Sequence, residues 1–126
     1  MEQSSERGSA TLMMTAGVLL IVLVGFLGLI GAGYLTAVRQ ARGAADLVAL
    51  SGATAYQAGQ DACAAARRIA STNKVTLTDC LVTGDTWDFV VTVSVRRPVR
   101  FHLPGLPTQV TAEARAGRLT TTEPAR

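Results

Sequence analysis

One histidine, one lysine, two cysteines and six aromatic residues leave this chain short of the side chains from which most catalytic and metal sites are built. A lone histidine without CxxC spacing provides no zinc set, so the cysteines have two readings, a disulfide or two inert buried thiols. GxSxG, HExxH and a phosphate-binding glycine loop are all missing, and no two acids are brought together by the pattern. The expectation is therefore a protein that is not an enzyme and holds no cofactor or metal. A net charge of +3 is too small to argue for nucleic acid as a specific partner, although it suits a surface facing acidic lipid or another anionic surface polymer. The longest absence is of charge itself. Between Arg7 and Arg39 no side chain ionises except that of Tyr34.

A bilayer core needs about 20 apolar residues at ~1.5 Å per helical residue. The run from Thr11 to Tyr34, "TLMMTAGVLLIVLVGFLGLIGAGY", supplies that length. Residues 9–38 are therefore expected to form a transmembrane helix. A cleavable secretory signal would begin basic and have an apolar core of roughly 7–15 residues. Here Glu2 and Glu6 outnumber Arg7, and the core is longer. Gly31, Ala32 and Gly33 imitate a cleavage site, which keeps a removed signal peptide as the competing reading.

Past the span, Leu35, Val38, Ala41, Ala45, Val48, Gly52 and Ala55 recur at helical spacing, so the membrane helix is expected to continue as an amphipathic stalk to about Gln57. Gly59 permits a break. Asp61 is placed to cap a second helix with Ala62, Ala65, Ala66 and Ile69 on one face and Arg67 and Arg68 in solvent. A sheet follows in period two. In "WDFVVTVSV", Trp87, Phe89, Val91, Val93 and Val95 alternate with Asp88, Val90, Thr92 and Ser94, the mark of a strand with one buried face. Val75 to Thr83 reads as its partner, with turn chemistry at Gly84 and Asp85, and Gln109 to Ala116 as a third strand. The fold class is thus α+β: a transmembrane helix continuing into an amphipathic one, a second short helix and a small three-stranded antiparallel sheet. Residues 39–118 form the small domain. Residues 119–126 have little to bury and are expected to be a disordered tail.

Three groups of residues invite a functional reading. Cys63 and Cys80 would staple the second helix to the sheet if the domain is exported, because roughly 75 residues make a marginal core. The positive-inside rule points the other way, since Arg39 and Arg42 flank the far end of the span and only Arg7 the near end; pairing of Arg42 with Asp46 would weaken that bias. On the residues alone the conflict stays open. Within the span, Gly17, Gly25, Gly28, Gly31 and Ala32 fall within about a third of the helix circumference, opposite Leu19, Leu23, Phe26 and Ile30. A small face of this kind suits helix association, although glycine is common in membrane helices in any case. Arg96, Arg97 and Arg100 beside Phe101 form a basic cluster, either a grip for a polyanion or a solvated strand end. His102 reads as a surface or edge-strand residue.

The order "RGSAT", apolar helix, "RQARGAADLVALSGA", "GQDACAAARRIA", Cys80 and "GLPTQVTAEARAGR" resembles the TadE-like proteins of actinobacteria, relatives of the minor pilins of the tight-adherence (Tad, or Flp) pilus system. The likeness runs from about Arg7 to Arg118. It implies a short cytoplasmic leader at residues 1–8, one membrane helix and a domain outside the cytoplasm. Prepilin peptidase processing would fall after Gly8, leaving Ser9 as the new N-terminus. Other pilin-like subunits or a Tad assembly platform would be the partners. Pilins usually carry glutamate at the fifth mature position, where its carboxylate pairs with a neighbour's terminal amine; counted from Ser9, this chain has Met13 there. The alternative expectation is a free-standing single-pass membrane protein whose outer domain binds a surface ligand.

Overall fold

The computed structural model describes residues 3–100 and 103–120, and in them the chain forms α1 (Gln3–Gln57), α2 (Ala62–Thr72), β1 (Thr76–Gly84), β2 (Phe89–Pro98) and β3 (Gln109–Arg118). The architecture is α+β, with both strand pairings antiparallel in the order β1-β2-β3. Phe101, His102 and residues 121–126 of the expected tail lie outside the described residues. Packing divides the chain into two units, Met1–Leu35 and Thr36–Arg126.

In the first unit the described part of α1 is almost wholly exposed. Large apolar side chains from Leu12 to Leu29 are 53% to 78% exposed, far more than water tolerates in one continuous surface. The stretch is long and apolar enough to cross a membrane. Thr15 donates its hydroxyl to the Thr11 carbonyl at 2.7 Å, which satisfies it without leaving the helix.

In the second unit the same helix changes role. Ala41, Ala44, Ala45, Val48, Ala49 and Ala53 are buried, and Ala37 and Val38, expected at the end of the span, pack against this core. Leu35, expected at the head of the stalk face, is exposed and belongs to the first unit. The helix stops where the sequence places the stop. Gly59 takes φ +74°, its N–H reaches the Tyr56 carbonyl at 3.0 Å, and Gln60 N–H reaches that of Ala55 at 2.8 Å, satisfying carbonyls that the helix leaves open. Asp61 then caps α2, its Oδ1 accepting from the N–H groups of Cys63 at 3.0 Å and Ala64 at 3.1 Å. The buried face of α2 is Ala62, Ala66 and Ala70, while Ala65 and Ile69 are half-buried and Arg67 and Arg68 exposed. At its far end Lys74 takes φ 57° and Val75 N–H reaches the Ala70 carbonyl at 3.1 Å, the same termination with lysine in place of glycine.

The sheet turns one face to these helices. On β2 the inward residues are Phe89, Val91, Val93 and Val95, and on β3 they are Val110, Ala112 and Ala114. Trp87 departs from the alternation in the sequence. It precedes the strand in the connection between β1 and β2 and is 73% exposed, so the buried face begins at Phe89. That connection closes with Asp85 N–H on the Asp88 carbonyl at 2.8 Å, and Gly84, at φ +106°, has no room for a Cβ, which would lie 2.1 Å from the Asp88 oxygen. β1 contains a bulge between Leu77 and Asp79. Thr78 and Asp79 both face outward, so the inward set changes parity from Leu77 to Cys80 and Val82.

Two contacts set the direction of α1 over the sheet. The Tyr56 ring lies 4.6 Å from that of Phe89, and Gly52 lies so close to Val91 that an added Cβ would come 3.1 Å from Cγ1. Four helical residues and two strand residues each span about 6 Å. Between Gly52 and Tyr56, α1 therefore runs antiparallel to β2 and in step with it.

Candidate interaction surfaces

Cys63 and Cys80 are joined by a disulfide with their Cα atoms 5.9 Å apart, linking α2 to β1. The bulge makes this possible: with strict alternation from Leu77, Cys80 would face away from α2. Both residues are half-buried, and no free cysteine remains.

Gly8 and Ser9 lie on the exposed early part of α1. Gly17, Gly25, Gly28 and Gly31 are likewise exposed, and a Cβ at any of the four would meet nothing of this chain within 4 Å. Their smallness answers no packing need inside the molecule. Ala32 lies on the same side of α1 and is also exposed.

Among the described residues no three His, Cys, Asp or Glu side chains gather to hold a metal. No polar or charged side chain is buried there either. The recorded ion pair is Arg115 with Glu113 at 2.9 Å, on the outer face of β3; a pairing of Arg42 with Asp46 is not among the described contacts. Thr120 donates both its N–H and its hydroxyl to Asp88 Oδ1, which ties the start of the expected tail to the connection before β2. These two bonds, with a smaller contribution from Arg118, hold the Asp88 carboxyl below its ordinary pKa despite some opposing desolvation.

No family model, curated protein or solved structure matches the chain. Function therefore rests on the surfaces themselves.

Two of the grooves formed by described residues bear on the second unit. One of about 650 Å³ runs between the end of α1 and α2, lined by Leu47, Leu50, Ala55, Ala65 and Ile69 with Arg68 at its rim. The sequence carried a trace of it, since Leu47 and Leu50 fall off the stalk face defined by Ala41, Ala45 and Val48. The other, of about 390 Å³, lies between Thr83, Val90, Arg115 and Leu119.

Arg96 and Arg100 are exposed and Arg97 is half-buried. They lie at the end of the sheet where β2 finishes. Lys74 joins them from the connection between α2 and β1, because it stands just before Thr76, whose register partner is Arg96. That addition was not legible in the sequence, where 22 positions separate the two.

Proposed function

We propose that this chain is a TadE-like minor pilin or pseudopilin, a membrane-anchored structural or assembly component of a Tad-type pilus or secretion system, with its small domain outside the cytoplasm. The observation that carries this reading is α1. It runs without interruption from Gln3 to Gln57; its early part exposes large apolar side chains and its late part supplies much of a domain's core. A simple tether needs no such continuity. A helix shared by span and domain suits subunits that associate through their helices while holding their domains at the surface. The disulfide supports export, because such bonds persist in oxidising compartments. The test is recovery of the chain in sheared surface filaments, or its crosslinking to a pilus assembly platform in its own host; absence from both leaves a free-standing membrane protein. Met13, where a pilin glutamate would stand, favours that second reading.

Processing gives a separate expectation. Peptidase recognition at a glycine is steric, because only a residue without a side chain lets the backbone approach a catalytic group so closely. Intact-mass measurement of protein from its own host should show loss of residues 1–8, and Gly8→Leu should prevent it. A full-length mature form beside an active prepilin peptidase would count against the pilin reading.

The small face of the span gives another. Small residues let a second helix backbone approach and gain dispersion contacts where no hydrophobic force operates. Gly28→Leu keeps insertion intact, since it is more apolar and its Cβ meets nothing of this chain within 4 Å. It should weaken crosslinking to a second copy or a pilin-like partner by roughly fivefold, a loss of about 1 kcal/mol. Phe26→Leu, on the bulky face, is the control that should change little. Equal association for wild type and Gly28→Leu would reduce the segment to an anchor.

A further inference from the structure

The second unit has a basic end, and two of its cations, Arg39 and Arg42, follow the apolar run by a few residues in the sequence. α1 runs antiparallel to β2 in step with it, from Tyr56 at Phe89 and Gly52 at Val91. Continued back along both elements, the ten helical residues from Gly52 to Arg42 cover ~15 Å, which on a strand is about four to five residues beyond Val91. Arg42 is therefore level with Val95 and Arg96, and Arg39, one turn earlier, with Arg97. Lys74 arrives at the same level through the register of Thr76 with Arg96. Arg100 follows in the connection from β2 to β3, which Val99 N–H on the Thr108 carbonyl closes at 2.8 Å. That connection also exposes Leu106 between Pro104 and Pro107.

Six cations thus share one end of the domain, and no recorded ion pair involves any of them among the described residues. The nearest carboxylates stand further in. Asp46 is a turn past Arg42 on α1; Asp79 pairs with Ser94 from β1, and Glu113, held by Arg115, pairs with Ser94 from β3. The acids Asp85 and Asp88 lie at the opposite end, in the connection between β1 and β2. Val38, the last apolar residue before the charges begin, precedes Arg39 and Arg42 by at most ~6 Å of helix.

We propose that this end, formed by Arg39, Arg42, Lys74, Arg96, Arg97 and Arg100 with Leu106 among them, is a docking surface for the anionic phospholipid headgroups of the membrane that α1 spans. Cations close to a bilayer surface meet phosphate at the depth where their own stems and Leu106 can lie along the acyl boundary. The surface holds the domain against the bilayer and limits its tilt. The inference rests on α1 crossing a membrane and not on the pilin reading, and it applies on either side of the bilayer.

The test uses the full chain in lipid nanodiscs, with hydrogen exchange followed at Arg100, Leu103, Gly105 and Leu106 and, as an internal reference, at residues 85–88. In discs containing phosphatidylglycerol, exchange at the basic end should be about tenfold or more slower than in phosphatidylcholine discs, since each cation near an anionic surface contributes roughly fivefold to the docked population. Residues 85–88 should exchange alike in both. Raised salt should remove the protection, as should the combined changes Arg96→Gln, Arg97→Gln and Arg100→Gln, while the corresponding three lysine changes should keep it. An intact disulfide and unchanged exchange in α2 establish that the glutamine variant is folded. Equal exchange in the two lipids overturns the proposal. So does stronger protection by soluble polyphosphate in phosphatidylcholine discs than by phosphatidylglycerol, which would assign the surface to a free polyanion.

Discussion

Replacing Phe89 by alanine should cost the domain about 3–5 kcal/mol, whereas the same change at Trp87 should cost almost nothing. Phe89 is 1% exposed, the largest fully buried side chain among the described residues, and its ring meets that of Tyr56 across the interface between α1 and the sheet. Removing it opens a cavity that the neighbouring valines and alanines are too short to fill. A folded part of this size has a total stability of roughly 4–11 kcal/mol, so the loss takes a large share of it. Trp87 is 73% exposed and precedes the strand, so its removal leaves the core intact. Pulse proteolysis of the full chain in detergent across a urea series reads both effects, with trypsin cutting at Arg67, Arg68, Lys74 and Arg96 once the domain opens. A fall in the midpoint for Trp87→Ala as large as that for Phe89→Ala would restore the strict alternation and contradict the structure.

Opening the disulfide should be nearly as damaging. The Cys63–Cys80 bridge closes a loop of 17 residues. In the chain-entropy account such a loop is worth about 3 kcal/mol through restriction of the unfolded chain. Protein extracted from its host under thiol-blocking conditions should carry no alkylated cysteine before reduction, and the double change Cys63→Ser, Cys80→Ser should lower the urea midpoint accordingly. Quantitative alkylation of both cysteines before reduction would remove the staple, and with it the chemical support for a domain outside the cytoplasm.

Where the fold depends on local chemistry, the sequence is readable. Gly59 and Asp61 mark the end of one helix and the start of the next, because each acts through its own backbone or the N–H groups beside it. The period-two pattern of β2 survives from Phe89 onward for the same reason, each side chain following from the pleat. Legibility falls where a partner decides. Trp87 continues the alternation by type and breaks it by position, because the connection from Gly84 to Phe89 consumes it. Cys80 takes its inward place only through the bulge at Thr78 and Asp79, and nothing in "TLTDCLV" announces an extra residue. The basic end is assembled from three segments distant along the chain. Its arginines on β2 are visible in the sequence, but their company with Lys74, Arg39 and Arg42 depends on strand register and helix direction.

Among the described residues, ten of the eighteen in the core are alanine. A core of large side chains fails by losing atoms, and deletion of methylenes is its characteristic lesion. Here Phe89 is the exception, and at most positions there is little to delete. The vulnerability is reversed: a single added methyl pair, as in Ala45→Val, Ala49→Val or Ala66→Val, pushes a helix off the sheet against neighbours that have no slack, at a cost of about 1–3 kcal/mol. Gly52 is the extreme case, since even the first carbon of a side chain would press on Val91. Substitutions usually counted as conservative, small apolar to slightly larger apolar, should therefore be the ones this domain tolerates least, while its solvent-facing positions on the same helices remain open to change.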